Sequence, residues 1–419
     1  MRYALPLLTM LAISTAAGAD DLHERATKLT RDAIIVDTHL DAPEALIEKW
    51  RDVAEKGATD HFDIPRAKAG GLTAPFFSIY VDPSYAEKGG AARALALIDL
   101  TRRVIADHPS DMVAAASVDD IRAAKKAGKI GVLMGIEGGH AIENSLPVLR
   151  EMYRAGVRYM TLTHVNTNDW ADSAGNFMIG EYDPKPFIKH HGLNDFGREV
   201  VKEMNRVGMI VDISHVSDET LEDVLEVSRA PVMASHSSCR ALSSMPRNLS
   251  DDQIKRIAAK GGVVMINIGS QFLSQKNWDA FVAMKKKLAP DVAKLKKKAG
   301  KDPDAFYSGL VALYAKNPPP RATLSDVADH IEHVIKVAGI DAVGLGTDFD
   351  GIPDPAVGFD DYSKLPDLVA ELLKRGHSDA EVKKILGENF LAFFARVEAA
   401  KKSLASEKPS MATLKPAKK

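Results

Sequence analysis

AIIVDTHLD, residues 33–41, begins as a buried strand and ends in groups that a buried strand has no use for. Ala33, Ile34, Ile35 and Val36 form a continuous apolar run, the signature of a strand covered on both faces. His39 and Asp41 follow, and period 2 places them on one face. Asp37 shares that face on this reading and is taken as a structural hydrogen-bonding residue. Alone, a His-x-Asp pair is adequately explained by structure. Burying either group without a partner is nevertheless costly.

The run is the first of eight. Residues 33–41, 74–81, 130–136, 158–164, 208–215, 231–236, 262–268 and 342–348 all read as short apolar strands. Helical periodicity fills 91–106, 145–155, 194–207 and 218–227 between them. The alternation predicts an α/β fold, a (β/α)8 TIM-like barrel, with an open doubly wound sheet as the competing arrangement. The spacing breaks once, at residues 269–340 between strands seven and eight, a stretch too long for a simple connection and read as a helical insertion. There Met284, Leu288, Val292, Leu295 and Ala299 recur at helical spacing among Lys285–Lys287 and Lys294–Lys298. That describes an amphipathic helix with a solvated lysine face, preferred here over a lid. Pro318-Pro319-Pro320 ends the insertion, and Ser325 is expected to cap a helix reaching Gly339.

The 419 residues are 45% hydrophobic with a formal charge of −2. That suffices for a large core and gives no electrostatic footprint for nucleic acid or an anionic membrane. Arg2, the apolar stretch Tyr3–Ser14 and Ala17-Gly18-Ala19 read as a cleavable signal peptide over residues 1–19, too short to span a bilayer. No lipid-anchor cysteine follows, and the Lys-rich C-terminus is the opposite of a GPI signal. The expected mature domain is 20–398, exported, soluble and periplasmic, with residues 399–419 as a disordered tail. Cys239, the only cysteine, permits no internal disulfide and reads as a small buried hydrophobe rather than a catalytic thiol.

How the strands finish carries the functional signal. Glu137 ends GVLMGIEGG, His164 ends YMTLTHVN, His215 ends MIVDISHVS, His236 ends PVMASHSS and Asp348 ends VGLGTDFDG. With strand one, six of the eight runs finish in a residue able to bind metal or carry protons. In a (β/α)8 barrel those ends converge on one mouth. A metal centre satisfies them together: several imidazoles plus carboxylates suit Zn²⁺ or a similar first-row divalent ion. His39, Asp41, Glu137, His215 and His236 exceed the needs of one open catalytic site and suffice for two ions if one carboxylate bridges.

At this point the chain resembles the membrane dipeptidase (renal dipeptidase) family, a branch of the amidohydrolase superfamily with a binuclear zinc barrel. The matching segments are DTHLD, FDIPRAKAGG, GIEGG, LTHVNTNDWADS, DISHVS, SHSS, RNLSDDQI and GTDFDG, in order across nearly all of residues 33–351. The resemblance implies that His39 and Asp41 hold one zinc, His215 and His236 the other, and Glu137 bridges them. It further implies that a hydroxide bridging the ions attacks the peptide bond of a dipeptide. Asp348 would orient it and pass its proton to the departing amine, and His164 would bind the scissile carbonyl oxygen. Arg247 would clamp the substrate's terminal carboxylate, and Asn248 beside it would also bind the substrate. Residue types agree: a carboxylate near the nucleophile can shuttle a proton, and a guanidinium grips a carboxylate bidentately. On residue type alone Arg247 could equally form a surface salt bridge, and His164 could be a satisfied core histidine.

The carboxylate on strand three, with His164 ending strand four, favours the dipeptidase branch over relatives bridged by a carboxylated lysine. Pro75 departs from the family's frequent glutamine, which implies a change in strand-two packing or the pocket edge. The absent GPI signal and disulfides are consistent with a bacterial periplasmic member, and L-Xaa-D-Xaa dipeptides are among the substrates the family implies. The competing functions are another amidohydrolase, cutting a lactone, lactam or N-acyl amino acid, and a non-catalytic metal- or peptide-binding protein. The expected partner is the dipeptide substrate, with no nucleic acid and no membrane anchor; a homodimer is admitted.

Overall fold

Every apolar run expected as a strand forms one in the computed structural model, which describes residues 21–177, 182–300 and 302–414. The expected signal peptide, 1–19, lies outside the described residues. The strands are β1 (Val36–Leu40), β2 (Ala74–Tyr80), β3 (Met112–Ala114), β4 (Ile130–Glu137), β5 (Val157–Thr161), β6 (Ile210–Asp212), β7 (Met233–Ala234), β8 (Val263–Ile266) and β9 (Val343–Leu345). All pairings between them are parallel. β1 pairs with β2 on one side and β9 on the other, and β2 pairs with β4. Eight strands thus close a ring, so the barrel replaces the open sheet. β3 is the one strand sequence did not anticipate; it extends the edge of β4 at Ile130–Val132, below the point where β2 joins. Three residues, two of them exposed, make no apolar run to read.

β1 departs from simple alternation. Its register against β2 shifts between Asp37 and Leu40, next to Pro75, which stands opposite Asp37 and has no N–H for the ladder. Val36 therefore packs in the same interior cluster as Tyr159, while His39, three residues on, also reaches Tyr159. Asp37 does not share the face of His39. Its carboxylate accepts from the Thr347 hydroxyl (2.5 Å), the Tyr362 hydroxyl (2.6 Å) and the backbone N–H groups of Thr347 and His39. The structural role expected for Asp37 stands, on a different face.

Four helices beyond the barrel ring matter here: α1 (Gln275–Ala299), α2 (Pro303–Ala315), α3 (Leu324–Ala338) and α4 (Asn389–Ser403). Phe390, Phe393, Phe394 and Val397 of α4 pack with Val36, Ala74, Ile210 and Val263, the first residues of their strands or next to them. The helix closes the N-terminal end of the barrel and leaves the other end for the site. The chain from 399, expected as a disordered tail, continues this helix to Ser403. It then stays attached through Arg229 to Glu407 (2.6 Å), Arg150 to the Ser410 carbonyl (2.9 Å) and a bridge between Ser145 and Thr413. Charge pairing and backbone bonds hold a segment that lacks the apolar pattern needed to announce it.

The insertion holds α1 and α2. The expected face of α1 is found, with Met284 and Leu288 buried, but it is not a merely solvated surface helix. Trp278, Phe281, Met284 and Leu288 join Leu310 and Tyr314 of α2, Phe177, Met245 and Phe272 in a cluster apart from the barrel core. α3 follows, and its cap is Thr323 rather than Ser325: Thr323 and Asp326 form a reciprocal capping box. The Ser325 hydroxyl instead accepts from Arg375 (2.9 Å).

α3 is tied to the barrel by His330. Its Nδ1 accepts from the Cys239 N–H and its Nε2 donates to the Leu273 carbonyl, both at 3.0 Å. Burial pushes this imidazole down to about 4 from an ordinary 6.5. The unfolded chain takes up a proton near pH 6.5 that the folded chain refuses until about pH 4. The stabilisation is thus complete above pH 6.5 and lost as pH falls toward 4. Between those limits His330 should cost the fold on the order of 3 kcal/mol. Denaturant unfolding measured across this range should show a shallower pH slope in His330→Asn than in the parent; an identical slope would remove the assignment.

Candidate metal centre

Glu137, at the last position of β4, is the point on which the other strand ends converge. His215 Nε2 lies 3.1 Å from its Oε1, His236 Nε2 3.5 Å and His164 Nε2 3.8 Å. His39 Nε2 lies 3.6 Å from its other oxygen, 3.4 Å from Asp41 and 3.9 Å from Asp348. All seven residues expected at the mouth are therefore together. Their ligand atoms group as His39–Glu137–His236, Glu137–His164–His215 and His39–Asp41–Asp348. The resemblance pairs His236 with His215; the rings place it nearer His39, at 3.9 Å between centroids against 5.0 Å.

Local structure explains how each side chain is free to point inward. Asp41 occupies the N-cap position of the helix Ala42–Glu48, yet its side chain caps nothing. His215 and Asp348 follow strands that stop early, at Asp212 and Leu345, and both adopt left-handed backbone (φ 68° and 62°). Such conformations are uncommon outside glycine and concentrate where function constrains the chain. Gly351 closes the turn after Asp348; a Cβ there would stand 2.2 Å from the Asp41 carboxylate.

The electrostatics of the cluster suit a cation. His39 Nε2 and His236 Nε2 are buried and find no hydrogen-bond partner among the described residues. Burial, together with Arg247 and neighbouring histidines, holds His215 and His236 well below the ordinary imidazole range, so both stand as neutral donors. His39 is the exception: burial pulls it down, but Tyr159, Asp41 and Glu137 outweigh that and hold it well above. Burial raises Asp348 to about 8, against a pull from His39 and with Asp41 and Glu137 adding to the rise. His215 and His236 as neutral imidazoles, the latter with an orphaned Nε2, crowded with His39 against carboxylates in a buried site, form a donor set that fits first-row divalent ions.

Arg247 stands beside this cluster and is buried. Its guanidinium donates to the Ser237 hydroxyl (3.2 Å) and the His236 carbonyl (3.3 Å) and lies over the Phe272 ring (5.6 Å). None of these partners is anionic, and its Nε has no partner among the described residues. Burial brings it down to about 10, opposed by Asp348, Glu137 and Asp212.

Residues 23–408 match the membrane dipeptidase family, Peptidase family M19. The chain belongs to that family. An uncharacterized dipeptidase of Schizosaccharomyces pombe, C965.12, is 35% identical over 393 residues, covering 90% of this chain and 83% of the relative. The crystal structure of the probable dipeptidase PvdM of Pseudomonas aeruginosa is 27% identical, with a TM-score of 0.76, and covers 91% of this chain and 99% of that one. A metallo peptidase of Rhodobacter sphaeroides, liganded with a phosphinate mimic of the dipeptide L-Ala-D-Ala, has a TM-score of 0.69 at 24% identity, covering 87% and 99%. At that identity it speaks for the fold alone.

Three features of this M19 chain were not singled out from sequence. Asn267, just past β8, donates to Asp348 Oδ2 (2.7 Å). It is a polar residue at a strand end like the other six, in the run 262–268, and the same rule could have found it. Tyr159 crosses the barrel to reach His39 Nδ1 (2.8 Å), over Gly135, where a Cβ would overlap its ring. Asp212 and Ser235 stand behind His236.

Asn248 needs correction. It was expected to touch substrate, but its amide is consumed by the loop. Its Oδ1 accepts from the Ser238 N–H (3.2 Å), and its Nδ2 donates to the Ser243 and Phe272 carbonyls (2.9 and 2.8 Å). It holds the segment that presents Arg247. Asn248→Ala should therefore lower unfolding free energy by roughly 2–4 kcal/mol, since three buried groups lose a partner. Thermal or denaturant melts read this directly; unchanged stability with weakened substrate binding would return Asn248 to the substrate.

Proposed function

We propose that this family member is a binuclear zinc dipeptidase that hydrolyses small dipeptides, L-Xaa-D-Xaa among them, and that residues 1–19 export it to the periplasm. The observation that carries the reading is the convergence of His39, His215 and His236 on Glu137, with Asp41 beside His39 and buried imidazole nitrogens left unpartnered among the described residues. His39 and Asp41 would hold one ion, His215 and His236 the other, with Glu137 shared. When bound, two zinc ions supply Lewis acidity and a water activated at neutral pH. Among the described residues no helix is long and apolar enough to cross a membrane.

The side chains around that centre divide the remaining work. Asp348, anchored through Oδ2 by Asn267, keeps Oδ1 toward His39 and can accept a proton and return it to the leaving amine. His164 packs edge-on against Tyr80 (4.8 Å) and presents Nε2 at the mouth. From there it can donate to the carbonyl oxygen as that oxygen gains negative charge. Arg247 offers a buried guanidinium without an anionic partner, the state a carboxylate-binding group is kept in. A grip on the terminal carboxylate limits cleavage to the bond one residue away, so dipeptides fit better than longer chains.

Asp348→Asn should retain both metals, counted by elemental analysis, while losing at least about 100-fold in kcat, the scale of a missing proton shuttle. A metal-replete, active variant would count heavily against the role. Substrate class is read by comparing dipeptides with their C-terminal amides on the zinc-loaded protein, across L,L, L,D and D,L members. Amides should lose most of kcat/KM. Equal rates would remove the role given to Arg247 and favour another amidohydrolase activity; L-Ala-D-Ala is the natural first probe.

A further inference from the structure

Behind His236 lies a chain of hydrogen bonds that fixes which ring nitrogen carries the proton. Asp212 ends β6, and four donors converge on its carboxylate. Oδ1 accepts from the Ser235 N–H (2.8 Å) and the Ser214 N–H (3.1 Å). Oδ2 accepts from the Ser235 hydroxyl (2.6 Å) and the Thr161 hydroxyl (2.5 Å). An ionised carboxylate takes all four as donors, and these hydrogen bonds oppose the rise that burial imposes on Asp212. The single proton of the Ser235 hydroxyl is therefore committed to Asp212. His236 Nδ1 lies 2.8 Å from that hydroxyl oxygen, which has only lone pairs left to offer it. Nδ1 must be the donor, and Nε2 is left bare, buried and facing Glu137 at 3.5 Å.

We infer that Asp212, acting through Ser235, is a positioning residue that locks His236 in the Nδ1–H tautomer, so that its Nε2 is ready to accept a metal ion. The opposite orientation, with Ser235 donating to His236, would set an oxygen lone pair against the Asp212 carboxylate at 2.6 Å. Thr161, Asp212 and Ser235 come from β5, β6 and the end of β7, so the relay also clamps three adjacent strands beneath the ligand. Metal-binding histidines characteristically donate their second nitrogen to such a partner, and losing it weakens affinity. His39 lacks this certainty: its Nδ1 faces the Tyr159 hydroxyl, which can donate or accept. The inference rests on the binuclear reading only for what the bare nitrogen is used for.

Asp212→Asn tests it with little change of shape. The two backbone N–H groups keep the amide oxygen on the Oδ1 side, so the amide nitrogen faces Ser235 and Thr161. Ser235 then accepts from Asn and turns its own proton to His236, moving the ring proton to Nε2. In metal-free protein with ¹⁵N-labelled histidine, NMR should find His236 as the Nδ1–H tautomer in the parent and Nε2–H in the variant. In zinc competition titrations the variant should lose about 10–100-fold in affinity for one of two ions and keep the other. Ser235→Ala should show the same selective loss and Ser235→Thr should not, which preserves the test if Asp212→Asn fails to fold. An Nε2–H ring in the parent, or unchanged zinc affinity in Ser235→Ala, overturns the relay. A parent that binds fewer than two ions overturns the binuclear reading instead, and the tautomer measurement still decides the relay.

Discussion

A carboxylate buried among four imidazoles is the constraint on which this molecule turns. Glu137 is almost wholly withdrawn from water, and burial alone would push it toward its neutral form; His39, His164 and His215 reverse that and hold it well below the usual range. A buried charge is tolerated only where partners surround it. The partners here come from four other strand ends, so the ring must close in register for the charge to be stable. Barrel and site are in that sense one requirement. The reverse also holds: among the described residues, no group satisfies the Nε2 atoms of His39 and His236, so the cluster is left incomplete there.

The position of the cluster is fixed from below by a column of aromatic rings. Phe390 of α4 packs on Phe76 of β2 (5.4 Å), Phe76 on Tyr159 of β5 (5.3 Å), and the Tyr159 hydroxyl meets His39. The C-terminal helix thus bears on the mouth through the barrel interior, although it contributes no group to it. Gly135 is part of the same column, since any side chain there would occupy the space of the Tyr159 ring. Interiors are packed at close to crystalline density, so a change at the plug is transmitted rather than absorbed.

Much of this was legible in sequence because two independent signals coincide at each strand. An apolar run marks the strand, and a polar residue at its end marks the mouth, as at Glu137 and His236. What was hidden depends on side chains meeting across strands. Tyr159 reads as an ordinary core aromatic, and Asp212 and Ser235 sit inside their strand runs without marking a strand end, until β5, β6 and β7 are set side by side. The register shift in β1 escaped because alternation is only a local rule, and the shift arises in pairing with β2. The insertion and the tail were misjudged for a common reason. Lysine-rich stretches suggest exposure, but the apolar face between the lysines of α1 covers Phe177 and Phe272, and residues 404–414 are held by polar contacts.

The shortness of the strands follows from the same logic. β6, β7 and β9 contain two or three residues each, well below the usual length. Longer strands would carry His215, His236 and Asp348 straight on, with side chains alternating across the sheet. Ending the ladder early frees His215 and Asp348 to turn through left-handed backbone and bring their side chains to one point. The turned backbone is held by specific bonds. The His215 carbonyl accepts from the Ala174 N–H and the Thr163 hydroxyl, and the Asp348 N–H donates to the His39 carbonyl. Ladder hydrogen bonds are thereby exchanged for bonds that aim ligands. The exchange is affordable because histidine and aspartate tolerate positive φ better than branched residues do. The residue types that suit the chemistry are also those that suit the turn.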